Sequence, residues 1–350
     1  MKREEKLLNE EISMKKLMIV AVLSLFVMSS FAQAQSVEKA KMNVAILIFD
    51  GVQIIDYTGP YEVLGSWGRR NVYTVAENAD TVTTSMGMKV IPNYTFENQP
   101  KPDILVIPGG GYSKPDPNGR GVAKQMVNEK VIRWIQENAK DAKYVMSVCN
   151  GAFLLAKAGL LEGLEATTFH GMINDLNEFA PTAKIVYDKR FVDNGKIITT
   201  AGLSSGIDGA LHLIEKIDGI GWAKRIAAGL EYNWQPNSNY ARASLADMKF
   251  PETIDRVLTD IEPVDLTNER DFYDGKWIVK TSASIEDFMS SLNKEWSSAT
   301  GWSNTKIGKS EGVWKLTEKD GKVWIGEAKV EKVATENNKL LLILCIFRSI

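Results

Sequence analysis

Residues 144–161, YVMSVCNGAFLLAKAGLL, decide the fold. Residues 144–148 form a short, bounded apolar run, the pattern of a strand buried on both faces. They lead without a linker into Cys149-Asn150-Gly151, and an apolar helix follows over 152–161. A strand that turns directly into a helix at a nucleophile is an elbow, a tight turn that lifts the side chain above the sheet. Gly151 and Ala152 are small enough to let helix and strand approach closely. The first amides of the helix fall beside the sulfur, so the expected state of Cys149 at neutral pH is the thiolate. A plain buried core cysteine is the competing reading. The place at the end of a strand favours the reactive one.

Outward from the elbow the same grammar repeats. Residues 44–49, VAILIF, are an apolar run ended by Asp50-Gly51, and a helix opens near Thr58-Gly59-Pro60 with the proline in its first turn. Residues 71–76 read as a strand and 81–94 as a hairpin around Gly87. Residues 103–107 are another core strand, closed by Pro108-Gly109-Gly110-Gly111. Helical periodicity covers 122–139, a further helix follows Thr167-Thr168, 196–200 is a strand and 204–217 a helix. Strands alternating with helices over 42–250 predict an α/β domain, a doubly wound parallel sheet with helices on both faces. Ligands sit at the carboxyl ends of such strands. The 50–56 loop, the 109–111 loop, Cys149 and Thr200-Ala201-Gly202 converge there. An amide of Gly110 or Gly111 joined to that of Asn150 would make an oxyanion hole. Thr200 and Gly202 are further binding candidates.

Bulk composition narrows the classes. The 350 residues are 44% hydrophobic and 25% charged, ordinary for a globular protein of about two domains. A net charge of −2 gives no basic field for nucleic acid or an anionic membrane. Two cysteines and two histidines make a Cys/His metal site an unpromising expectation, and no cofactor is implied.

The N-terminus reads as a targeting signal. Lys15 and Lys16 precede an apolar run over 17–31, and Ala32-Gln33-Ala34 is a small-x-small cleavage site. The expectation is a signal peptide within 1–34, translation starting at Met14, and a mature chain from Gln35 that is periplasmic or secreted without a membrane span. A retained membrane anchor is the alternative, for which the run is short. Cys345 is the other cysteine, so no disulfide framework is expected.

Beyond the main domain, 251–270 reads as a linker with a short helix over 253–261, 271–335 as a small α+β or β-rich module, and 336–350 as an apolar tail. Five of the nine tryptophans fall in the module: Trp277, Trp296, Trp302, Trp314 and Trp324. They could stack on sugars or another ligand, or else build a small core or pack on the main domain. Ser284 and Asp287 are spaced as a capping box, and Asp320-Gly321 marks a hairpin between 313–317 and 322–330.

Residues 46–60 (ILIFDGVQIIDYTGP), 103–111 (DILVIPGGG), 147–161 (SVCNGAFLLAKAGLL), 166–168 (ATT) and 199–208 (TTAGLSSGID) together resemble the ThiJ/PfpI family of the class I glutamine amidotransferase-like superfamily. The resemblance implies a flavodoxin-like sheet. Asp56 matches the family's acidic partner of the nucleophile, a carboxyl able to trade a proton with sulfur or water. Asp50, in turn-forming Asp50-Gly51, is a weaker rival. The D-x-T-G-P and C-x-G forms, and residues 230–236 (LEYNWQP), are most similar to isonitrile hydratases. Protease-like and glyoxalase-like branches place histidine directly after the cysteine, where this chain has Asn150. Others place it where this chain has Phe169, one residue before His170. His170 is therefore a secondary site candidate, and His212 reads as helix packing. The resemblance implies a cysteine-dependent hydratase or hydrolase acting on a small electrophile. A non-catalytic redox sensor on the same elbow, or an amidase, peptidase, glyoxalase or deglycase, are the alternatives. A small-molecule substrate is the expected partner, and a homodimer stays open.

Overall fold

The computed structural model describes residues 41–238, 240–251, 253–334 and 338–349. The expected signal peptide lies outside these residues. Within residues 42–350 the chain builds two main sheets, each with its own hydrophobic core.

The first sheet has seven strands in the order Phe191–Asp193, Ile197–Thr200, Tyr144–Ser147, Ile104–Ile107, Met42–Leu47, Arg70–Ala76 and Tyr94–Thr95. All neighbours run parallel except the Phe191–Asp193 edge. The central strands are apolar end to end because helices cover both faces. Val44, Ala45 and Ile46, for example, are fully buried. Helices Ile54–Gly65, Ser205–Asp218 and Ile220–Gly229 pack together as one layer. Val122–Gln125, Glu129–Asp141, Ala152–Lys157 and Ile173–Phe179 form the other. From Met42–Leu47 the chain moves to Arg70–Ala76 on one side, then returns to Ile104–Ile107 on the other. That reversal opens a crevice at the strands' carboxyl ends.

Local differences from expectation have local causes. The first helix begins at Ile54, so Pro60 lies inside it rather than in its first turn. The periodic 122–139 segment is two helices, because the Asn128 side chain accepts the Lys130 amide at 3.1 Å and starts a new one. The elbow helix stops at Lys157, ahead of Gly159 in the left-handed region at φ 77°.

The second sheet is antiparallel, in the order Ile261–Asn268, Phe272–Lys280, Lys339–Ser349, Val323–Lys332, Glu311–Thr317 and Trp302–Ile307. Helix Ile285–Ser298 packs on it, and Ser284 Oγ accepts the Asp287 amide at 3.1 Å as the capping pattern requires. The segment read as a linker holds the first of these strands, and the helix expected over 253–261 is a single turn, Ile254–Arg256. The segment read as an apolar tail contains the third strand, paired on both sides. Leu340, Leu342, Leu344 and Ile346 are buried in the module core. The tryptophans build that core: Trp296 and Trp314 are fully buried and stack at 4.3 Å, and Trp302 meets Trp296 edge-on at 5.5 Å.

Candidate active site

The chain turns at Cys149 with φ 57°, a left-handed conformation that a non-glycine residue holds only when its surroundings enforce it. Two bonds enforce it. The Cys149 amide donates to the Ala201 carbonyl at 3.1 Å, and the Thr168 hydroxyl donates to the Cys149 carbonyl at 2.7 Å. Gly151 follows because nothing larger fits: a Cβ there would lie 2.1 Å from the Ile107 carbonyl oxygen. The sequence motifs on three strands thus meet at one buried sulfur, which is 6% exposed.

Asp56, on the first helix, is completely buried beside it. Its Oδ2 accepts the Gly109 amide at 3.2 Å, and Oδ1 has no hydrogen-bond partner of good geometry. Burial pushes the carboxyl up to about 7, against lesser downward pulls from the Cys149 thiol and the Gly109 amide. The rival Asp50 is exposed, and its Oδ1 accepts the Thr83 amide at 2.7 Å.

The thiol itself departs from expectation. Burial first, and the Asp56 charge second, hold Cys149 well above the ordinary cysteine range. The amides of Asn150 and Leu203 lie near the sulfur and pull the other way. The resting group is therefore a thiol, not the expected thiolate. The elbow helix has only six residues, so its dipole is small, and a carboxyl sits where a cation would be needed.

The glycine loop also serves differently. The Gly110 amide donates to Asn150 Oδ1 at 2.7 Å, and Asn150 Nδ2 donates to the Gly111 carbonyl at 3.2 Å. The asparagine side chain thereby occupies the Gly110 amide that was expected to face an oxyanion. A Cβ on Gly109 would lie 2.2 Å from Asn150 Oδ1, so the loop is glycine here to let Asn150 and Asp56 close around the sulfur. The amides that pull the sulfur's pKa down are those of Asn150 and Leu203.

Thr200 is buried and its hydroxyl donates to the Ala201 carbonyl at 3.3 Å, the carbonyl that also takes the Cys149 amide. It supports the elbow from behind. Gly202 makes room for Phe169, whose Cδ2 would lie 2.4 Å from a Cβ there. His170 meets the Phe169 ring at 4.2 Å with the planes tilted by 55°, makes no hydrogen bond to Cys149, and burial followed by Arg242 lowers its pKa. It forms no Cys–His pair. His212 lies away from the elbow, bonded to Asp193 at 2.8 Å and Glu215 at 3.2 Å.

The Leu203 amide was not foreseen. Leu203 has φ 54°, and the turn that holds it is braced by Arg190, which donates to Asp208 Oδ2 at 2.5 Å and to Ser204 Oγ at 3.0 Å. Tyr232, in the 230–236 segment, donates to Asp208 Oδ1 at 3.0 Å. Beside this turn a cavity of about 230 Å³ is walled by the 167–170 and 201–205 segments and by residues 240–243. Among the described residues no cluster of three or more acidic, histidine or cysteine side chains could hold a metal, and no helix is long and apolar enough to cross a membrane.

Known proteins resemble the chain in sequence and in fold. The sequence pattern of the DJ-1/PfpI family matches residues 42–216. An isonitrile hydratase from Pseudomonas putida is 37% identical over 192 residues, spanning 55% of this chain and 78% of the relative. The deglycase PfpI from Pyrococcus furiosus is 26% identical over 137 residues, 39% of this chain and 76% of the relative. A ThiJ/PfpI family protein of known structure from Pseudomonas syringae superimposes with a TM-score of 0.50 at 28% identity, covering 57% of this chain and 78% of that one.

Proposed function

This chain belongs to the DJ-1/PfpI family, and from that premise we propose that it is a cysteine-dependent hydratase of a small electrophile, acting as its relative's name suggests on an isonitrile. The observation that carries the reading is the buried Asp56–Cys149 pair. A carboxyl at about 7 is present in both protonation states near neutrality, which suits a group that must first take a proton and then return it.

The reaction follows from that pair. Asp56 takes the thiol proton as Sγ bonds to the isonitrile carbon, and the same proton then goes to that carbon, giving a thioimidate. Water adds to this carbon while Asp56 moves one of its protons to the nitrogen. The carbon–sulfur bond then breaks, the remaining hydroxyl proton returns to sulfur, and an N-substituted formamide leaves. Atoms and charges balance with water as the single co-reactant. The Asn150 and Leu203 amides hold the charge that develops on sulfur when it attacks and when it leaves. Desolvation raises the thiol's pKa but also leaves the thiolate unsolvated and reactive once formed.

An isonitrile panel assayed by formamide release, on the wild type and on Cys149→Ala and Asp56→Asn, tests this. Both variants should lose turnover while keeping the fold, and the wild type should show a substrate-sized mass increment on Cys149 during turnover. Full activity in Cys149→Ala overturns it. No turnover of any electrophile, with partner binding that follows oxidation of Cys149, would favour the sensor reading. The signal-like residues 15–34 support export as part of the same proposal, checked by N-terminal sequencing of native protein for a start at Gln35.

A further inference from the structure

The cavity of about 230 Å³ next to the elbow has a charge asymmetry that the reacting pair does not use. Three cationic residues, Lys189, Arg190 and Arg242, are among its walls, and no carboxylate is. The carboxylates that balance the arginines lie behind that lining. Asp208 takes Arg190, and Asp247 takes Arg242 through two bonds of 2.6 Å. Each pairing uses part of a guanidinium's five N–H donors and fixes its plane, which leaves donors for a second anion. Lys189 is exposed and makes no ion pair with a described residue. Its neighbour Asp188 is taken up by Arg270 at 3.2 Å.

The cavity abuts the reacting centre through the residues that hold Cys149. Thr168, Ala201 and Leu203 line it: the first two bond the Cys149 carbonyl and amide, and the Leu203 amide lies near the sulfur. Its volume is below the roughly 300–1,000 Å³ of pockets for drug-sized ligands. Phe169, Leu203 and Ala241 give it apolar wall between the charges. Arg242 and Tyr240 lie beyond residues 42–216, which match the family pattern.

We propose that this cavity is an anion subsite: the substrate is a small acid, with its electrophilic carbon at Cys149 and a carboxylate or similar anionic group held by Lys189, Arg190 and Arg242. The inference rests on Cys149 as the reacting centre. It deepens the proposed function by naming the charge of the substrate. Remote binding of this kind orients the reacting carbon and contributes to catalysis without touching it.

Alkylation of Cys149 tests the subsite without requiring turnover. Iodoacetate and iodoacetamide deliver the same carbon to sulfur with loss of iodide, and differ in carrying a carboxylate or a neutral amide. Rates at Cys149 are read by mass spectrometry at low salt, with glutathione as the reference thiol. The iodoacetate-to-iodoacetamide ratio is expected to exceed that of glutathione by about tenfold and to fall as salt rises. Lys189→Gln should cut the ratio about threefold. Arg242→Gln should also cut it, and Arg242→Lys should restore part of it. A wild-type ratio equal to that of glutathione overturns the proposal, as does a Lys189→Gln ratio equal to that of the wild type. Failure of both reagents to reach Cys149 overturns it too, because the cavity would then lead nowhere. Isonitrile turnover with an unremarkable ratio removes the subsite and leaves the hydratase. A raised ratio without isonitrile turnover keeps the subsite and removes the hydratase.

Discussion

Asp56 Oδ2 receives the Gly109 amide at 3.2 Å, the one good hydrogen bond of a carboxyl that is otherwise sealed against the Cys149 sulfur. One amide does not compensate an ionised carboxylate for lost water. The proton is therefore retained in the folded protein to about pH 7, against an ordinary value of 3.8. The folded state binds it more tightly than the unfolded chain does. This contribution to stability is full below about pH 3.8 and is lost as the pH rises through 7, a swing on the order of 4 kcal/mol. Asp56→Asn keeps the shape without the charge. It is expected to melt several degrees above the wild type at pH 8–9 and much closer to it at pH 5, by calorimetry. Equal differences at the two pH values would contradict the buried-acid account.

The sulfur should titrate late. Iodoacetamide rates measured against pH are expected to rise with a midpoint above the ordinary cysteine value of about 8.5. Because the Asp56 charge is the second cause of that elevation, Asp56→Asn should move the curve to lower pH. A wild-type midpoint below 8 would restore the thiolate expectation.

Removing the Asn150 side chain leaves the Gly110 amide and the Gly111 carbonyl without their partner. Asn150→Ala is expected to lower stability by about 1–3 kcal/mol, read by urea denaturation. Gly151→Ala, which would place a methyl 2.1 Å from the Ile107 carbonyl oxygen, should lose about 3 kcal/mol or fail to fold. A neutral result for Gly151→Ala would mean that the elbow is looser than its geometry states.

In the second sheet the rings are structural. Trp296→Ala should destabilise that module by about 3–5 kcal/mol, seen as an early unfolding step that leaves the Cys149 domain folded. Intrinsic tryptophan emission should not respond to added sugars. Saturable quenching by a sugar would point to a binding face instead.

The sheet and the elbow were legible because each depends on a pattern that local residues carry, an apolar run, a glycine turn and the small Gly151 behind Cys149, whereas Asp56 stood out through the family resemblance alone. The sequence was silent on Leu203, since the working group there is a main-chain amide and no residue type marks it. It misjudged the thiol because helix amides show in the sequence, whereas burial and the nearness of Asp56 arise only in three dimensions. Residues 340–347 lacked a two-residue alternation because both faces of that strand are apolar. Leu341 and Ile343 are half-buried on the side opposite Leu340 and Leu342. Asn150 was read for its amide, and its side chain turned out to close the glycine loop.

The strand Lys339–Ser349 has a temporal consequence. It lies between Phe272–Lys280 and Val323–Lys332, so two earlier strands wait for a later one as their shared neighbour. Phe272 finds Phe347, and Ile325 finds that same Phe347 from the other side. As the chain emerges in N-to-C order, the Cys149 domain can complete its sheet once residue 200 is out, whereas the second sheet stays divided until residue 349 follows. Pairings that span this much chain form slowly and leave strand edges open in the meantime. A chain that stalls before residues 339–349 are out would carry a finished nucleophile and an unzipped, aggregation-prone sheet, a state that chaperones and proteases would recognise.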